Sequence, residues 1–482
     1  MSKHISLTTT LPYVNSDPHV GFALEIVQAD AVARYHRLMG DKVFFNTGTD
    51  EHGVKIYRKA QEAEEDAQAY VDRYAARFGL LKEKLNLSYD AFVRTTDPHH
   101  MKAAQEFWKR CDAAGDIYKK EYKVKYCVGC ELEKTDSELE DGTCPIHPNL
   151  EIEYIEEENY FFRFSKYQEA LLKLYEERQD FVVPVQRLNE IRAFVERGLE
   201  DFSISRLKKK MPWGVEVPGD PNHVMYVWFD ALVNYMSTLG WPDERYKEWW
   251  PSIQFAGKDN LRQQTAMWQA MLMSAGLEPS KQVLIHGFIT SNGQKMSKSL
   301  GNVIDPIKVV DEYGTDALRY FLLRHVHPFE DSDFTMERFH ESYTANLVNG
   351  LGNLVSRVMK MATTHLSGPV ALADEDSVFE EDVGAEVRVY EFNRALDIVF
   401  EHVSKGDAYI QEHEPFKKIK DPATKDEALA DIKKLTHHVY KIGVHLQPFM
   451  PETAVHILKV VRDHTMPEPM FPRIERACYA LR

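Results

Sequence analysis

Three cysteines and a histidine form two short pairs whose spacing is typical of a metal site. Cys127 and Cys130 are separated by two residues, thirteen residues follow, and Cys144 and His147 are again separated by two residues. Each pair can turn two ligands toward one tetrahedral zinc ion, and four protein ligands leave no open coordination position. The pattern therefore predicts one structural zinc site. The alternative is that these cysteines are chance free thiols.

A second cluster lies between Gly293 and Gly301 and is predicted to form a loop that can close over a triphosphate. In this loop Lys298 is placed to counter the negative charge of departing pyrophosphate. The alternative is a solvated basic loop without a ligand. The cluster contains two lysines and two serines, which are Lys295, Ser297, Lys298 and Ser299.

Residues 17–22 open a predicted helix directly after a predicted strand. We expect Asp17 to cap this helix and Pro18 to take its first position. Backbone N–H groups and the positive end of the helix dipole then point to where an anion can sit. Gly21 allows close approach of a ligand, and His19 can donate a hydrogen bond to a phosphate oxygen. The alternative is that His19 only helps to cap the helix.

These segments need a scaffold, and the sequence predicts a parallel sheet. Residues 5–11 have the β-branched character of a strand, a helix follows and ends at Gly40, and residues 43–45 form a second strand. This order is the unit of an α/β fold with a Rossmann-like, doubly wound parallel sheet. Residues 282–290 are predicted as a further buried strand, and the chain beyond Asp333 as almost entirely helical.

Composition and charge favour a soluble, multidomain enzyme. The chain has 482 residues, of which 44% are hydrophobic and 28% charged, and its net charge is −16. This charge argues against broad affinity for polyanions. No apolar stretch approaches the length of a membrane span, and no export signal precedes the first predicted strand. Clustered cysteines suit a reducing compartment, so we predict a cytoplasmic protein without membrane contact.

The two phosphate-facing motifs resemble the HIGH and KMSKS signatures of class I aminoacyl-tRNA synthetases. Four further blocks resemble the methionyl-tRNA synthetase family in particular, at residues 10–13, 47–53, 227–232 and 257–259. The resemblance covers nearly the whole chain. It implies a Rossmann-like catalytic domain with an inserted zinc-binding connective domain, followed by an all-α anticodon-binding helix bundle. It also implies the single-zinc bacterial type without the C-terminal dimerisation domain, and hence a monomer.

This resemblance implies a reaction and the residues that serve it. L-Methionine would be activated with ATP and transferred to initiator and elongator methionine tRNAs, with Mg²⁺ accompanying ATP. Asp50 would hold the substrate ammonium, and aromatic walls suit a soft thioether. The implied catalytic residues are His19, Lys295 and Lys298. The implied methionine pocket consists of Leu11, Tyr13, Asp50, Trp228, Leu232, Tyr235 and Gln264. The implied ATP-binding residues are His19, Gly21, Gly257, Asp259, His286, Ile289 and Lys298.

The helical tail carries an apolar stripe and a separate polar face. Helical spacing places Leu347, Leu351, Leu354 and Val358 on the stripe and Asn346, Asn353 and Arg357 on the other face. An ordinary solvated face is the simpler interpretation. The resemblance implies instead that Asn353, Arg357 and Phe416 contact the anticodon, with Phe416 stacking on a splayed base.

The predicted domain boundaries follow from these patterns. Residues 1–115 would form the first half of the catalytic domain. Residues 156–255 would form the rest of the connective region and the second half of the catalytic domain. Residues 116–155 would form the zinc-binding insertion, 256–335 the C-terminal catalytic part and the KMSKS region, and 336–482 the helical anticodon-binding domain.

Two departures from the family pattern and two rival functions bear on this interpretation. Phe22 replaces the second histidine of the first signature, and Gln263 and Gln264 replace a Phe-His pair.

The nearest rival is another class I synthetase, but His19 and Lys295 lie only 276 positions apart, which leaves little room for a large editing insertion. A cysteinyl enzyme would use zinc in its amino acid pocket. The other rival, a noncatalytic tRNA-binding paralogue, should show damage at catalytic positions.

Overall fold

A computed structural model describes residues 3–296, 301–373 and 377–475. The strands are β1 (His4–Thr9), β2 (Lys42–Thr49), β3 (Ala91–Arg94), β4 (Ile117–Cys127), β5 (Leu132–Lys134), β6 (Glu153–Phe162), β7 (Val182–Val183), β8 (Phe202–Ser203), β9 (Ser205–Leu207), β10 (Glu216–Val217), β11 (Asp220–Met225), β12 (Ile253–Gly257), β13 (Gln282–His286), β14 (Ile289–Ser291), β15 (Gln294–Lys295) and β16 (Ser332–Asp333).

The α-helices are α1 (Val20–Leu38), α2 (Val54–Glu62), α3 (Ala67–Gly79), α4 (Leu81–Lys84), α5 (Pro98–Ala113), α6 (Gln168–Glu177), α7 (Val185–Glu196), α8 (Val227–Ala231), α9 (Asn234–Ser237), α10 (Trp268–Ser274), α11 (Pro306–Tyr313), α12 (Thr315–Arg324), α13 (Met336–Ser342), α14 (Asn353–His365), α15 (Glu381–Arg388), α16 (Phe392–His413), α17 (Pro415–Lys418), α18 (Lys425–Leu446) and α19 (Pro451–Asp463). Short 3-10 helices occur at Asp136–Glu138, Phe164–Tyr167, Glu244–Glu248 and Lys258–Asn260. The wider π-helical turn is found at Gln263–Met267 and Tyr343–Gly352.

The described residues divide into two compact units. The first falls within Met1–Pro18, Asp41–Leu80 and Tyr89–His286, and the second within His19–Gly40, Leu81–Ser88 and Gly287–Arg482. Within the described ranges, none of the helices has the length and apolar character that crossing a membrane requires.

The first unit is built on a parallel sheet with the strand order β3-β2-β1-β12-β13-β7. Burial is nearly continuous along the strands, from Ile5 to Thr9 in β1 and throughout β12, as in sheets that are covered on both faces. From β1 the chain passes to β2, which pairs with one edge of β1, whereas β12 pairs with the opposite edge of β1. This reversal of strand order creates a crevice at the carboxyl end of β1, where ligands of such sheets bind. The predicted α/β fold with a doubly wound sheet is confirmed.

The segment predicted as the insertion, residues 116–155, contributes to an antiparallel sheet with the strand order β5-β4-β6-β8, which extends beyond these bounds through most of β6 and through β8. Its long pair, β4 and β6, runs in register from Ile117 opposite Phe162 to Tyr126 opposite Glu153. The cysteine pairs therefore lie beyond the far end of this hairpin, where β4 ends at Cys127.

The second unit contains a small sheet of order β15-β14-β16 and the helices of the C-terminal part. Helices α14, α16 and α18 pack against one another, and α19 packs on α18. The predicted apolar stripe is their core, because Leu347, Leu351, Leu354 and Val358 are all fully buried. The predicted helical character of this part of the chain is confirmed.

A buried ion pair anchors α1 within the second unit. Arg319 of α12 is fully buried and pairs with Asp30 of α1 at 2.8 Å. Its remaining N–H groups donate to the carbonyl oxygens of Leu85 at 3.0 Å and Phe449 at 2.8 Å. Because a buried charge is tolerated only when it is paired and hydrogen-bonded, this network fixes the helix whose first turn carries His19 and Gly21.

The prediction of one strand over residues 282–290 is wrong. This segment forms two strands in different sheets, β13 in the parallel sheet and β14 in the small sheet. The break falls at Gly287, where an added Cβ would lie 2.2 Å from the carbonyl carbon of Glu330. A backbone that passes this close to another requires glycine, which interrupts an otherwise apolar strand pattern.

Candidate active site and metal centre

The loops that follow β1 and β2 meet at the crevice of the parallel sheet. Tyr13 and Asp50 face each other in an isolated parallel bridge. The Asp50 N–H donates to the Pro12 carbonyl at 3.0 Å, and the Val14 N–H donates to the Asp50 carbonyl at 3.2 Å. The structure thus brings together two side chains that the sequence placed in one pocket, and it fixes them through their backbones.

Asp50 is a buried carboxyl group without a cationic partner. Its side chain is 2% exposed, and it accepts a single backbone hydrogen bond, from the His52 N–H at 3.4 Å. Burial, together with repulsion from Asp230, raises the pKa of this carboxyl well above its usual range. No lysine or arginine in the described ranges forms an ion pair with it. A group held in this way provides a strong site for an external cation.

Asp230 is a second buried carboxylate, and the sequence interpretation gave it no role. It lies between His52, whose Nδ1 is 2.6 Å away, and His100, whose Nε2 is 2.8 Å away. Although burial opposes its ionisation, the charge and hydrogen bonds of these histidines lower the pKa of Asp230 to about 2. Asp230 therefore stays ionised beside Asp50. A single acid within the apolar run at residues 227–232 was the signal that could have identified it.

Two buried polar atoms beside Asp50 have no hydrogen-bond partner among the described residues. They are the hydroxyl of Tyr13 and the indole Nε1 of Trp228. The two rings meet edge to face, with centroids 6.2 Å apart. The pKa of Tyr13 is raised mainly by burial and secondly by the negative charge of Asp50. The hydroxyl therefore keeps its proton and remains a donor. Buried donors of this kind can bind the polar groups of a ligand.

The remaining predicted pocket residues lie at the end of α8, on α9, on the π-helical turn and just beyond β1. Leu232 and Tyr235 are buried, and the Tyr235 hydroxyl accepts a hydrogen bond from Gln264 Nε2 at 2.8 Å. Gln263 is also buried. Leu11 is half-buried just beyond β1. The apolar and aromatic surface of these residues, with a few fixed polar groups, is typical of a pocket for a small amphiphilic ligand.

The four predicted zinc ligands converge. Their donor atoms all lie within 4.8 Å of one another. Cys130 Sγ is 3.5 Å from Cys144 Sγ and 3.2 Å from His147 Nδ1, and Cys127 Sγ is 3.8 Å from His147 Nδ1. Ligands around one tetrahedral zinc ion are separated by roughly 3.6–3.8 Å, as follows from ordinary Zn–S and Zn–N bond lengths. The three thiols and the imidazole therefore fit a closed structural zinc site.

A glycine makes room for the histidine ligand of this cluster. An added Cβ on Gly129 would lie 2.4 Å from Cγ of the His147 ring. Any side chain at this position would displace the ring from the three thiols, because such a distance is far below van der Waals contact.

Three predicted ATP-binding residues lie together at the ends of β12 and β13. An added Cβ on Gly257 would be 2.8 Å from Asp259 Oδ1 and 3.6 Å from His286 Nε2. Gly257 thus allows these two polar side chains to lie close to its backbone. Asp259 is exposed, and His286 is mostly buried.

The predicted start of α1 is wrong by two residues. The cap is His19, whose Nδ1 accepts the Gly21 N–H at 3.1 Å, and the helix begins at Val20. Asp17 instead forms an ion pair with Arg77, and Pro18 precedes the helix. Because Nδ1 accepts a hydrogen bond, a neutral His19 ring carries its proton on Nε2. The structure thus gives His19 the capping role of the alternative interpretation and leaves Nε2 as a donor.

The predicted phosphate loop is described only in part. Lys295 lies in β15, with its backbone paired to Thr290 of β14, and Ile289 is buried in β14. Lys298, with Ser297 and Ser299, lies outside the described residues.

Two of the three predicted anticodon residues line one cavity. Arg357 of α14 and the exposed ring of Phe416 of α17 border a cavity of about 510 Å³, together with Lys360 and Lys420. Arg357 is held by an ion pair with Asp407 of α16 at 2.9 Å. Asn353 is exposed at the start of α14 and is not among the residues that line this cavity.

Comparison with known proteins adds independent information. The family model described as tRNA synthetases class I (M) matches residues 5–153 and 147–359. A methionine–tRNA ligase of Thermosynechococcus vestitus is 42% identical over 473 residues, which are 94% of this chain and 89% of that protein. A methionine–tRNA ligase of Thermotoga maritima is 41% identical over 480 residues, 96% of this chain and 76% of that protein.

Comparison with solved structures gives the same result as comparison with these relatives. The methionyl-tRNA synthetase of Mycobacterium tuberculosis in complex with methionyl-adenylate matches with a TM-score of 0.89 at 35% identity, covering 98% of this chain and 99% of that one. The apo form of the same enzyme matches with a TM-score of 0.83 at 32% identity and 99% coverage of both chains. Given matches of this identity over nearly its whole length, the chain belongs to the class I (M) tRNA synthetases, the family of the methionine–tRNA ligases.

Proposed function

We propose that this chain activates L-methionine with ATP to form methionyl-adenylate and transfers the methionyl group to the 3′ end of initiator and elongator methionine tRNAs. The observation that carries the proposal is Asp50, a buried carboxyl group at the switch point of the parallel sheet that forms no ion pair with a lysine or arginine among the described residues. An amino acid supplies the ammonium that this group lacks.

The pocket around Asp50 suits the rest of the amino acid. The hydroxyl of Tyr13 and the indole N–H of Trp228 are donors without partners among the described residues, and they can orient the substrate carboxylate. Leu11, Leu232 and Tyr235 offer apolar and aromatic surface to a soft thioether. Gln264 fixes the Tyr235 hydroxyl through its hydrogen bond of 2.8 Å.

Adenylation needs positioning and charge stabilisation rather than a nucleophilic side chain. A carboxylate oxygen of methionine attacks the α-phosphorus of ATP, and pyrophosphate leaves with the electron pair of the broken P–O bond. His19 donates a hydrogen bond to a phosphate oxygen, and Lys295 and Lys298 counter the charge that builds on the leaving group. Mg²⁺ bound with ATP neutralises part of the same charge.

We propose that the other ATP-binding residues offer space and polar or apolar groups to adenosine and the phosphates. Gly257 leaves space at the end of β12, and Asp259 and His286 offer polar groups beside it. Gly21 allows a phosphate to approach the first turn of α1, and Ile289 gives an apolar surface for the base.

We propose that Cys127, Cys130, Cys144 and His147 hold one structural zinc ion. Their donors match a closed tetrahedral site, so the ion contributes folding energy to the tip of the β4–β6 hairpin and takes no part in the reaction. Thiols in such a cluster suit a reducing compartment, and we propose that the protein acts in the cytoplasm.

The helical domain, residues 336–482 in our domain proposal, is the candidate for reading the anticodon. Phe416 offers an exposed ring for stacking on an unstacked base, and Arg357 shares its cavity. We propose that Asn353, one helical turn before Arg357, completes this face and that the enzyme acts as a monomer.

ATP–pyrophosphate exchange measured separately with each of the twenty amino acids tests the proposal. We expect exchange with methionine in clear preference to all others, followed by charging of both methionine tRNAs. Preferred exchange with another amino acid would assign the chain to a different specificity, and absence of exchange with any of them would leave only a tRNA-binding role.

A further inference from the structure

Glu131 directly follows the zinc ligand Cys130, yet its side chain belongs to the surroundings of the amino acid pocket. The residue is 2% exposed and has a left-handed backbone with φ of 53°. Its Oε1 accepts the backbone N–H of Lys55 at 2.9 Å, and its Oε2 accepts the hydroxyl of Tyr126 at 3.0 Å. Its carbonyl oxygen accepts the hydroxyl of Tyr226.

The contact with Lys55 closes the open end of α2. This helix starts at Val54, immediately after the segment that carries Asp50, and its capping residue Gly53 has no side chain to offer. Glu131 supplies the missing acceptor, and its negative charge suits the positive end of a helix. An added Cβ on Gly53 would lie 3.0 Å from Glu131 Oε1, and Gly53 has a φ of 103°. The glycine thus admits the carboxylate from the zinc-binding segment.

The other two contacts of Glu131 reach the metal cluster and the aromatic wall. Tyr126 precedes the ligand Cys127, so the two residues that flank the Cys127–Cys130 pair are joined to each other. Tyr226 caps α8, the helix that carries Trp228. Arg206 lies over both tyrosine rings, with its guanidinium 5.1 Å from Tyr126 and 4.7 Å from Tyr226.

We propose that Glu131 is a positioning residue that ties the zinc cluster to the methionine pocket. The metal fixes the backbone at Cys127 and Cys130. Glu131 then holds the segment of Asp50 through α2 and the helix of Trp228 through Tyr226. Zinc thereby sets the affinity for the amino acid without touching it. This inference rests on the proposed methionine activation.

A set of variants at one position tests the proposal. Glu131→Ala removes the acceptor, Glu131→Asp withdraws the carboxylate from Lys55, and Glu131→Gln keeps a carbonyl oxygen that can accept the Lys55 N–H. The matched control is Asp136→Ala, an exposed carboxylate in the same insertion that pairs only with Lys125 among the described residues. For each protein we would measure methionine Kd by calorimetry, zinc content by elemental analysis, and KM and kcat of exchange.

We expect Glu131→Ala and Glu131→Asp to weaken methionine binding about tenfold, as loss of a helix cap that positions a ligand group would. Zinc content and KM for ATP should not change, and kcat should change little. Glu131→Gln should restore most of the affinity, and Asp136→Ala should match the wild type. Wild-type protein stripped of zinc should show the same selective loss for methionine.

Three results would overturn the proposal. These are unchanged methionine affinity in Glu131→Ala or Glu131→Asp, an equal loss of zinc or of ATP affinity in these variants, and normal methionine binding by zinc-free protein. Failure of the proposed function has a different signature, since the wild-type protein itself would then not exchange with methionine.

Discussion

Replacing Asp50 by asparagine should have opposite effects on methionine binding and on stability. Asparagine keeps an oxygen that can accept the His52 N–H, which donates to Asp50 at 3.4 Å, so the loop should keep its conformation. The variant loses the negative charge that we assign to the substrate ammonium. Because Asp50 is 2% exposed, that charge pair would be largely desolvated.

The size of the binding loss follows from two opposing contributions. Removing one partner of a buried charge pair costs about 3–5 kcal/mol. The net loss of binding free energy is smaller, because the wild-type carboxyl must lose its proton before it can pair with the ammonium. Burial and Asp230 raise the pKa of Asp50 and make that step unfavourable. This loss of the proton costs about 1.4 kcal/mol for every tenfold by which the protonated form predominates at the working pH. We therefore expect methionine Kd and the kcat/KM of exchange to worsen by about 30- to 1000-fold.

The stability effect has the opposite sign. A carboxyl group whose pKa is raised in the folded protein favours folding at low pH, and this contribution is lost as pH rises above the usual carboxyl pKa. At neutral pH Asp50 therefore destabilises the fold, so Asp50→Asn should melt at a higher temperature, by about 2 °C or more. The difference should shrink in acid. For the same reason, methionine binding to the wild type should release a proton and weaken as pH falls.

Calorimetry in buffers of different ionisation enthalpy, together with thermal unfolding at neutral and acidic pH, measures all of these effects. A variant that binds methionine like the wild type but melts at a lower temperature would refute the reasoning. Asp50 would then be a structural group rather than the site of the ammonium.

Three further predictions address the loop, the anticodon face and the metal. Lys298→Ala should cut the exchange rate by about 10²–10³-fold with little change in methionine Kd, and unchanged exchange would contradict the role of the loop. Phe416→Ala should raise KM for tRNA by about tenfold without altering exchange in the absence of tRNA, while Phe416→Trp should charge normally; equal charging by all three proteins would remove Phe416 from the interface. Cys130→Ser should lose zinc and speed amide hydrogen exchange in the insertion, and equally slow exchange in the insertion of wild-type protein with and without zinc would exclude a structural metal.

The approach of Tyr13 to Asp50 was predictable because it depends on the order of strands and loops along the chain. Asp50 follows β2 and Tyr13 follows β1, so the rule that parallel strands gather their carboxyl ends at one edge already places them together. The four proposed zinc ligands were equally predictable from the sequence, because each short pair needs only one turn to direct its two side chains toward one ion. In both cases the relevant geometry is encoded within a few residues of the functional side chains.

The start of α1 shows where this reasoning fails. Asp17 and His19 are both plausible caps, and local preference favours the aspartate. In the structure Asp17 pairs with Arg77, a residue sixty positions away, and His19 takes the capping role. The strand break at Gly287 has the same origin, because it depends on the approach of Glu330. Contacts between distant parts of the chain decide between local alternatives that the sequence leaves nearly equal.

The pair Gln263 and Gln264 was the main departure from the methionyl pattern, and the structure satisfies only part of it, because the side-chain Oε1 atoms of both residues are buried without a hydrogen-bond partner among the described residues. Both side chains are buried within a π-helical turn, which is wider than an α-helical turn and is common at functional sites. Gln264 uses its amide N–H to bind the Tyr235 hydroxyl, and its backbone carbonyl accepts from Gln269 Nε2 at 2.7 Å. The Gln264 side chain therefore holds the Tyr235 hydroxyl in place. In our proposal, affinity for the thioether depends on Trp228, Leu232 and Tyr235.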